Sequence, residues 1–323
     1  MLAFLALTAC APKIAEQGLE MRMPAIEKGS GTGVAADRYL TRDGLKLGLM
    51  HWDAAMPTAA IVAVHGMSDY SNAFAMPAPY WAERGISTYA YDQRGFGRSP
   101  NLGVWGGNDV MCRDLSDFVE VVRARHPGVP VYVLGESMGG AVAMTAFASK
   151  SPPNADGLIL VAPAVWSRET MPLSYRVALW SVSHSFRWWS LSGSGLKIVP
   201  SDNIEMLRAF SRDPLVQKTA RADAIYGLVS IMDSAYNAPP RLNGEPLMLL
   251  YGSNDQIIPK GPTETVIEEL GAKATVKNYP KGYHMLLRDL DGKTRWTDIA
   301  NWVDAQSRRR MGPAMAGAAM AAE

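Results

Sequence analysis

The stretch "VYVLGESMGGAVAM", Val131 to Met144, places a serine where two patterns meet. Val131 to Leu134 is an apolar run of the kind expected in a strand buried on both faces of a sheet. From Met138 onward the small apolar residues suit a closely packed helix. Between them Gly135 and Gly139 bracket Ser137 in the spacing G-x-S-x-G. Glycine on both sides lets strand and helix approach while the serine takes a strained backbone angle. With a strand leading in and a helix leading out, the pattern is that of a serine held out for use as a nucleophile. A glycine-rich turn that merely ends a strand is the plain alternative.

Strands and helices alternate around this stretch. "YLTRDGLKLGLMHWDA" reads as a hairpin turning at Asp43-Gly44. "AAIVAVHG", "GISTYAYDQRG", "DGLILVAPA", "PLMLLYGSND" and "ATVKNYPKG" read as strands, and "DVMCRDLSDFVEVVRARHPG" and "TRWTDIANWVDAQSRRR" as helices. This order predicts an α/β fold with a mostly parallel sheet flanked by helices. The core should cover 36–164 and 242–307. Residues 165–241 interrupt the rhythm and hold Trp166, Trp180, Trp188 and Trp189, four of the nine tryptophans. The segment is too long for a connection and is expected to form a helical cap over the carboxyl edge of the sheet. Its tryptophans either pack the cap onto the sheet domain or form an entrance that admits acyl chains from a membrane surface. Residues 11–35 are expected to be a polar linker, and 308–323 a disordered tail.

The 323 residues are 48% hydrophobic and 20% charged, with a net charge of +1, so no global charge points to nucleic acid as a partner. Cys10 and Cys112 make neither a disulfide framework nor a metal site. No apolar run reaches the roughly 18–20 residues of a spanning helix. "MLAFLALTACAPK" carries Leu7-Thr8-Ala9-Cys10, which resembles the lipobox of bacterial lipoproteins. That resemblance implies a signal in 1–10, lipidation of Cys10 and a membrane-anchored protein of the bacterial cell envelope. The alternative is a frayed apolar N-terminus, or a short buried helix, on a soluble cytoplasmic protein.

A serine hydroxyl needs a base, and the chain has five histidines. His51 falls in the early hairpin, His126 at a helix end and His184 in the cap; His65 follows the first central strand, where it should pack beneath the oxyanion site. His284, in "YPKGYHMLLRD" after the last strand, is the expected general base. Asp255, in the turn after "MLLYG", is the expected acid that orients it, although a turn aspartate is ordinary there. Backbone N–H groups of Met138, after the serine, and Met67, after the first central strand, are expected to form the oxyanion hole.

The stretches "VHGMSDYS", "YDQRGFGRS", "GESMGG", "YGSNDQIIP" and "YPKGYHMLLRD" together resemble the α/β-hydrolase superfamily, and within it the monoacylglycerol lipase and lysophospholipase-like branch. The resemblance spans about residues 40 to 307. It implies the triad Ser137, Asp255 and His284, the oxyanion donors Met67 and Met138, and a structural corner at Arg94. The expected activity is hydrolysis of monoacylglycerol-like or lysophospholipid-like esters through an acyl-enzyme, without metal or cofactor. Acyl transfer or amide hydrolysis on the same triad, and a non-catalytic lipid-binding module, are the alternatives.

Overall fold

The computed structural model of the protein describes residues 12–18, 21–29, 37–192, 195, 197–242 and 244–320, the last ten by backbone alone. A nine-stranded sheet forms the centre, in the order β1-β2-β3-β5-β4-β6-β7-β10-β11. Its strands are β1 (Ala25–Glu27), β2 (Arg38–Leu40), β3 (Lys46–Trp52), β4 (Ala59–Val64), β5 (Ile86–Tyr91), β6 (Val131–Glu136), β7 (Leu158–Val161), β10 (Leu247–Gly252) and β11 (Ala274–Tyr279). From β5 to β11 all pairings are parallel, whereas β1, β2 and β3 join antiparallel. The predicted hairpin is β2–β3, and Gly44 turns it at φ +82°.

Every residue of β4, β5, β6, β7 and β10 is buried, because helices cover both faces. Alternate side chains feed two cores. Val62, Val133, Leu160 and Leu249 pack with α2 (Asn108–Arg125), α3 (Met138–Phe147), α6 (Ala222–Tyr236) and α7 (Lys260–Leu270). Ile61, Leu134, Ile159 and Leu250 pack with α1 (Pro77–Glu83) and α8 (Gly292–Met320). Helix α2 shows how such a face is coded: Val110, Met111, Leu115, Phe118, Val119 and Val122 recur at three- and four-residue spacing and are buried.

Between β7 and β10 lies the inserted segment. It contains α4 (Leu173–Ser185), α5 (Ile204–Arg212) and α6, together with a two-stranded sheet of β8 (Ser190–Ser192) and β9 (Thr219–Arg221) that the helical expectation missed.

Two expectations are corrected. The stretch read as a free linker over 11–35 runs, where it is described, along the domain. Ala15 N–H donates to Trp105 O at 2.7 Å, Gly18 N–H to Asp43 Oδ2 at 3.0 Å, and β1 extends the sheet. Polar, glycine-rich composition suits a tether, yet backbone groups can pair whatever the side chains. The tail expected to be disordered from 308 continues α8 to Met320, and Arg310 pairs with Asp156 at 2.7 Å. Its Ala- and Met-rich composition, read as low complexity, is also that of good helix formers. The lipobox and Cys10 lie outside the described residues.

Arg94 is the polar centre of the fold. It is 2% exposed and binds two carboxylates in bidentate fashion, Asp114 at 2.6 and 2.8 Å and Asp43 at 2.7 Å through both contacts. One guanidinium thus ties the β2–β3 hairpin to α2 and to the loop after β5. Arg94→Met leaves two buried carboxylates without their partner. Denaturant unfolding should show a loss of about 3–5 kcal/mol.

Candidate active site

Ser137 sits between β6 and α3 with φ 52° and ψ −115°, a region few side chains tolerate. The surrounding backbone fixes it there. Ser137 N–H donates to Val161 O at 2.9 Å, and Ser137 O accepts from Ala141 N–H at 3.1 Å and Ala164 N–H at 2.9 Å. The flanking glycines permit the crossing. A side chain on Gly139 would run into Val64 O, and one on Gly135 would meet Gly139 O at 2.5 Å.

His284 lies in the loop after β11, and Asp255 in the turn after β10. Two parallel strands that neighbour each other bring these two loops to the same sheet edge as the serine turn. His284 Nε2 is 2.9 Å from Ser137 Oγ, and His284 Nδ1 is 2.7 Å from Asp255 Oδ2. Asp255 Oδ1 accepts from Ile257 N–H at 2.8 Å and Ile258 N–H at 3.0 Å, which orients the carboxylate. The aspartate side chain is fully buried and that of His284 is 7% exposed. The three residues picked from separate stretches therefore form one hydrogen-bonded relay.

The other histidines stand elsewhere. His51 lies between Asp37 and Asp53, His126 Nε2 meets Tyr89 Oη at 2.8 Å, and His184 stacks on Trp180 in the cap. His65 is fully buried. Its Nδ1–H donates to Gly66 O at 2.8 Å, and its Nε2 accepts from Gln93 N–H at 2.9 Å. Burial lowers its pKa and keeps the ring neutral, so His65 braces the loop that carries Met67. Gln93 adjoins Arg94, and the structural corner is thereby joined to this loop.

Met67 follows Gly66, whose added Cβ would lie 3.3 Å from Ser137 Cβ, so the loop passes directly over the serine. Met138 is the first residue of α3. Neither backbone N–H donates to another described residue, and the Met138 amide sits at the positive end of its helix.

A cavity of about 770 Å³ opens at the relay. Met67, Ser137 and His284 line one end, and Trp166, Leu179, Val182, Leu228 and Ile258 are among its apolar walls. Of the four cap tryptophans, only Trp166 faces this space. Trp180, Trp188 and Trp189 are 57, 63 and 55% exposed, so they do not pack the cap onto the sheet domain. Asp69, Glu136 and Arg288 also line the cavity, and motif reading passed over them. Nothing local in the sequence sets them apart: each is a single charged residue within a few positions of Met67, Ser137 or His284.

The model of the family described as Hydrolase_4, serine aminopeptidase S33, matches residues 55–291. The chain belongs to that family. It is 27% identical over 267 residues to a monoacylglycerol lipase of Mycolicibacterium smegmatis, an alignment covering 76% of this chain and 88% of that protein. It is 28% identical over 269 residues to the monoglyceride lipase of Rattus norvegicus, covering 81% and 88%. Among solved structures, a soluble variant of the Saccharomyces cerevisiae monoglyceride lipase superposes with a TM-score of 0.73 at 22% identity, over 89% of this chain and 99% of that one. The monoacylglycerol lipase of Paleococcus ferrophilus gives 0.68 at 22% identity, over 80% and 99%. These superpositions establish the α/β-hydrolase fold.

If the relay is the reaction centre, Ser137→Ala should abolish labelling by a fluorophosphonate probe. It should also lower kcat/KM on a soluble ester by at least about 10⁴-fold, leaving only what binding and oxyanion contacts supply.

Proposed function

We propose that the protein hydrolyses monoacylglycerol-like esters at Ser137. It is a carboxylic ester hydrolase, and the observation that carries the substrate reading is a formed Ser–His–Asp relay at one end of a large apolar cavity. The names of its relatives point the same way.

The Ser137 hydroxyl donates to His284 Nε2, so the imidazole takes that proton as Oγ attacks the ester carbonyl. Asp255 accepts the Nδ1–H of His284, holds the required tautomer and stabilises the imidazolium. The Met67 and Met138 amides receive the developing oxyanion, where burial strengthens each hydrogen bond. His284 then protonates the departing alcohol. Water, deprotonated by the same ring, releases the acid from Ser137. The cavity accepts the acyl chain, since its volume falls in the range of small-molecule sites and its walls are chiefly apolar. With a series of 4-nitrophenyl esters, kcat/KM should rise from acetyl to a maximum at medium or long chains. A steady fall from acetyl to decanoyl would exclude this substrate class.

The proposed location is a lipid surface reached through Cys10. Two features support it. Phe186, Trp188 and Trp189 form an exposed apolar rim on the cap. Lys13, close after Cys10 in the sequence, lies near that rim, because its N–H donates to Asp223 Oδ2 at 3.3 Å. Asp223 N–H in turn bonds Arg187 O, beside the tryptophans. An acyl anchor and an apolar rim on one side would hold the cavity mouth against lipid. In cell fractionation of a bacterial host, the full chain should sediment with membranes and Cys10→Ser should move to the soluble fraction.

A further inference from the structure

Three charged side chains stand behind the relay, and each belongs to a different segment of it. Asp69 lies two residues after Met67, Glu136 directly precedes Ser137, and Arg288 is four residues after His284. All three are buried and all three line the cavity. Arg288 Nη2 lies 2.6 Å from Asp69 Oδ2 and 3.6 Å from Glu136 Oε2. One guanidinium therefore touches the oxyanion loop and the serine turn from its seat on the histidine loop.

That seat is itself fixed. Arg288 N–H donates to Met285 O at 2.8 Å, and Arg288 O accepts from Asn203 Nδ2 at 3.1 Å. The next residue, Asp289, closes the loop by accepting Tyr283 N–H at 2.9 Å, and the Phe210 ring of α5 lies 5.5 Å from the guanidinium. A shift of Arg288 therefore carries His284 with it.

Stability alone is a poor explanation for such a cluster. Taking three charges out of water costs several kcal/mol per ion, and apolar side chains would fill the same wall at no such cost. What an ion cluster supplies instead is a defined geometry among the segments it joins. The relay needs that definition. The Ser137 hydroxyl, the His284 ring and the Met67 amide come from three loops, and a displacement of about 1 Å among them can cost about 10²-fold in rate.

We propose that Arg288 is a positioning residue. Through Asp69 and Glu136 it holds the loop of Met67, the turn of Ser137 and the loop of His284 in one register. The proposal rests on the serine-hydrolase chemistry of this site, which the Ser137→Ala comparison tests separately in a protein with Arg288 intact.

The test is steady-state kinetics of the full chain on a short soluble 4-nitrophenyl ester, with folding checked by circular dichroism. Arg288→Met should lower kcat about 10- to 100-fold while KM stays within about threefold. Arg288→Lys, which keeps the charge, should recover part of the loss. Asp69→Asn should lower kcat in the same manner, and the double variant Asp69→Asn/Arg288→Met should be no worse than Arg288→Met alone, as expected of one unit. A folded Arg288→Met variant with kcat within twofold of the parent would overturn the proposal. So would a loss confined to KM, or losses that simply multiply. Should Arg288→Met fail to fold, the near-isosteric pair Glu136→Gln and Asp69→Asn takes its place: coupled losses in kcat support the assignment and independent ones overturn it.

Discussion

The backbone of Ser137 is the constraint on which the site depends. Its φ of 52° costs about 1–3 kcal/mol and persists only because the surroundings leave no alternative. Strand β6 delivers the chain, and the Val161, Ala141 and Ala164 backbone groups fix both ends of the serine peptide. Gly135 and Gly139 allow α3 to turn off within contact distance of β4. That crossing sends the hydroxyl out of the sheet edge, towards the one histidine that the loop after β11 can supply. Parallel register does the rest, because β10 and β11 run side by side and deliver Asp255 and His284 at matched heights.

Electrostatics divides the cavity into two regions. The large chamber is apolar, while the wall behind the relay carries Asp69, Glu136 and Arg288. Burial pushes the Glu136 carboxyl above its usual range, and the Arg288 charge acts against that rise. A second buried cation, Arg94, acts at greater range. It locks Asp43 and Asp114 and lies next to Gln93, which holds the neutral His65 ring and so the bend at Gly66. The loop of Met67 is thus braced from below by a neutral imidazole and from the side by a guanidinium. In such a low-dielectric setting a misplaced donor loses much more than it would in water.

Legibility in the sequence followed the range of the pattern. The central strands, α2, the serine turn and the relay were readable because apolar runs, helical spacing and glycine offsets are local signals. His284 could be chosen from five histidines because it alone follows the last strand of the alternating pattern. The N-terminal strap was not readable: Ala15 pairs with Trp105 through backbone groups, and no side-chain type announces such a contact. Nor was the charged wall. Asp69, Glu136 and Arg288 look like ordinary surface residues until the fold brings them together, 67 and 152 positions apart along the chain (136 − 69 and 288 − 136). The continuation of α8 was missed because alanine-rich composition serves low-complexity tails and helices alike.

The cap helix α4 posed a puzzle that the structure resolves. Its sequence is apolar around most of its circumference, which suits a helix buried on every side, yet Ser183 is its only buried residue. The explanation lies in two faces with different duties. Tyr175, Ala178, Leu179 and Val182, at i, i+3, i+4 and i+7, line the cavity. Leu173, Val177 and Trp180 point away from it and are exposed. The inner face is apolar like the rest of the cavity wall, which suits the acyl chain of the proposed substrate. The outer face has no such need, and leaving it in water forgoes about 25 cal/mol for every Å² that could be covered. Soluble proteins seldom leave a contiguous apolar surface of this kind without a use for it. The proposed lipid surface accounts for it, since both faces of one helix would then meet the same class of molecule, one before the ester enters the cavity and one after.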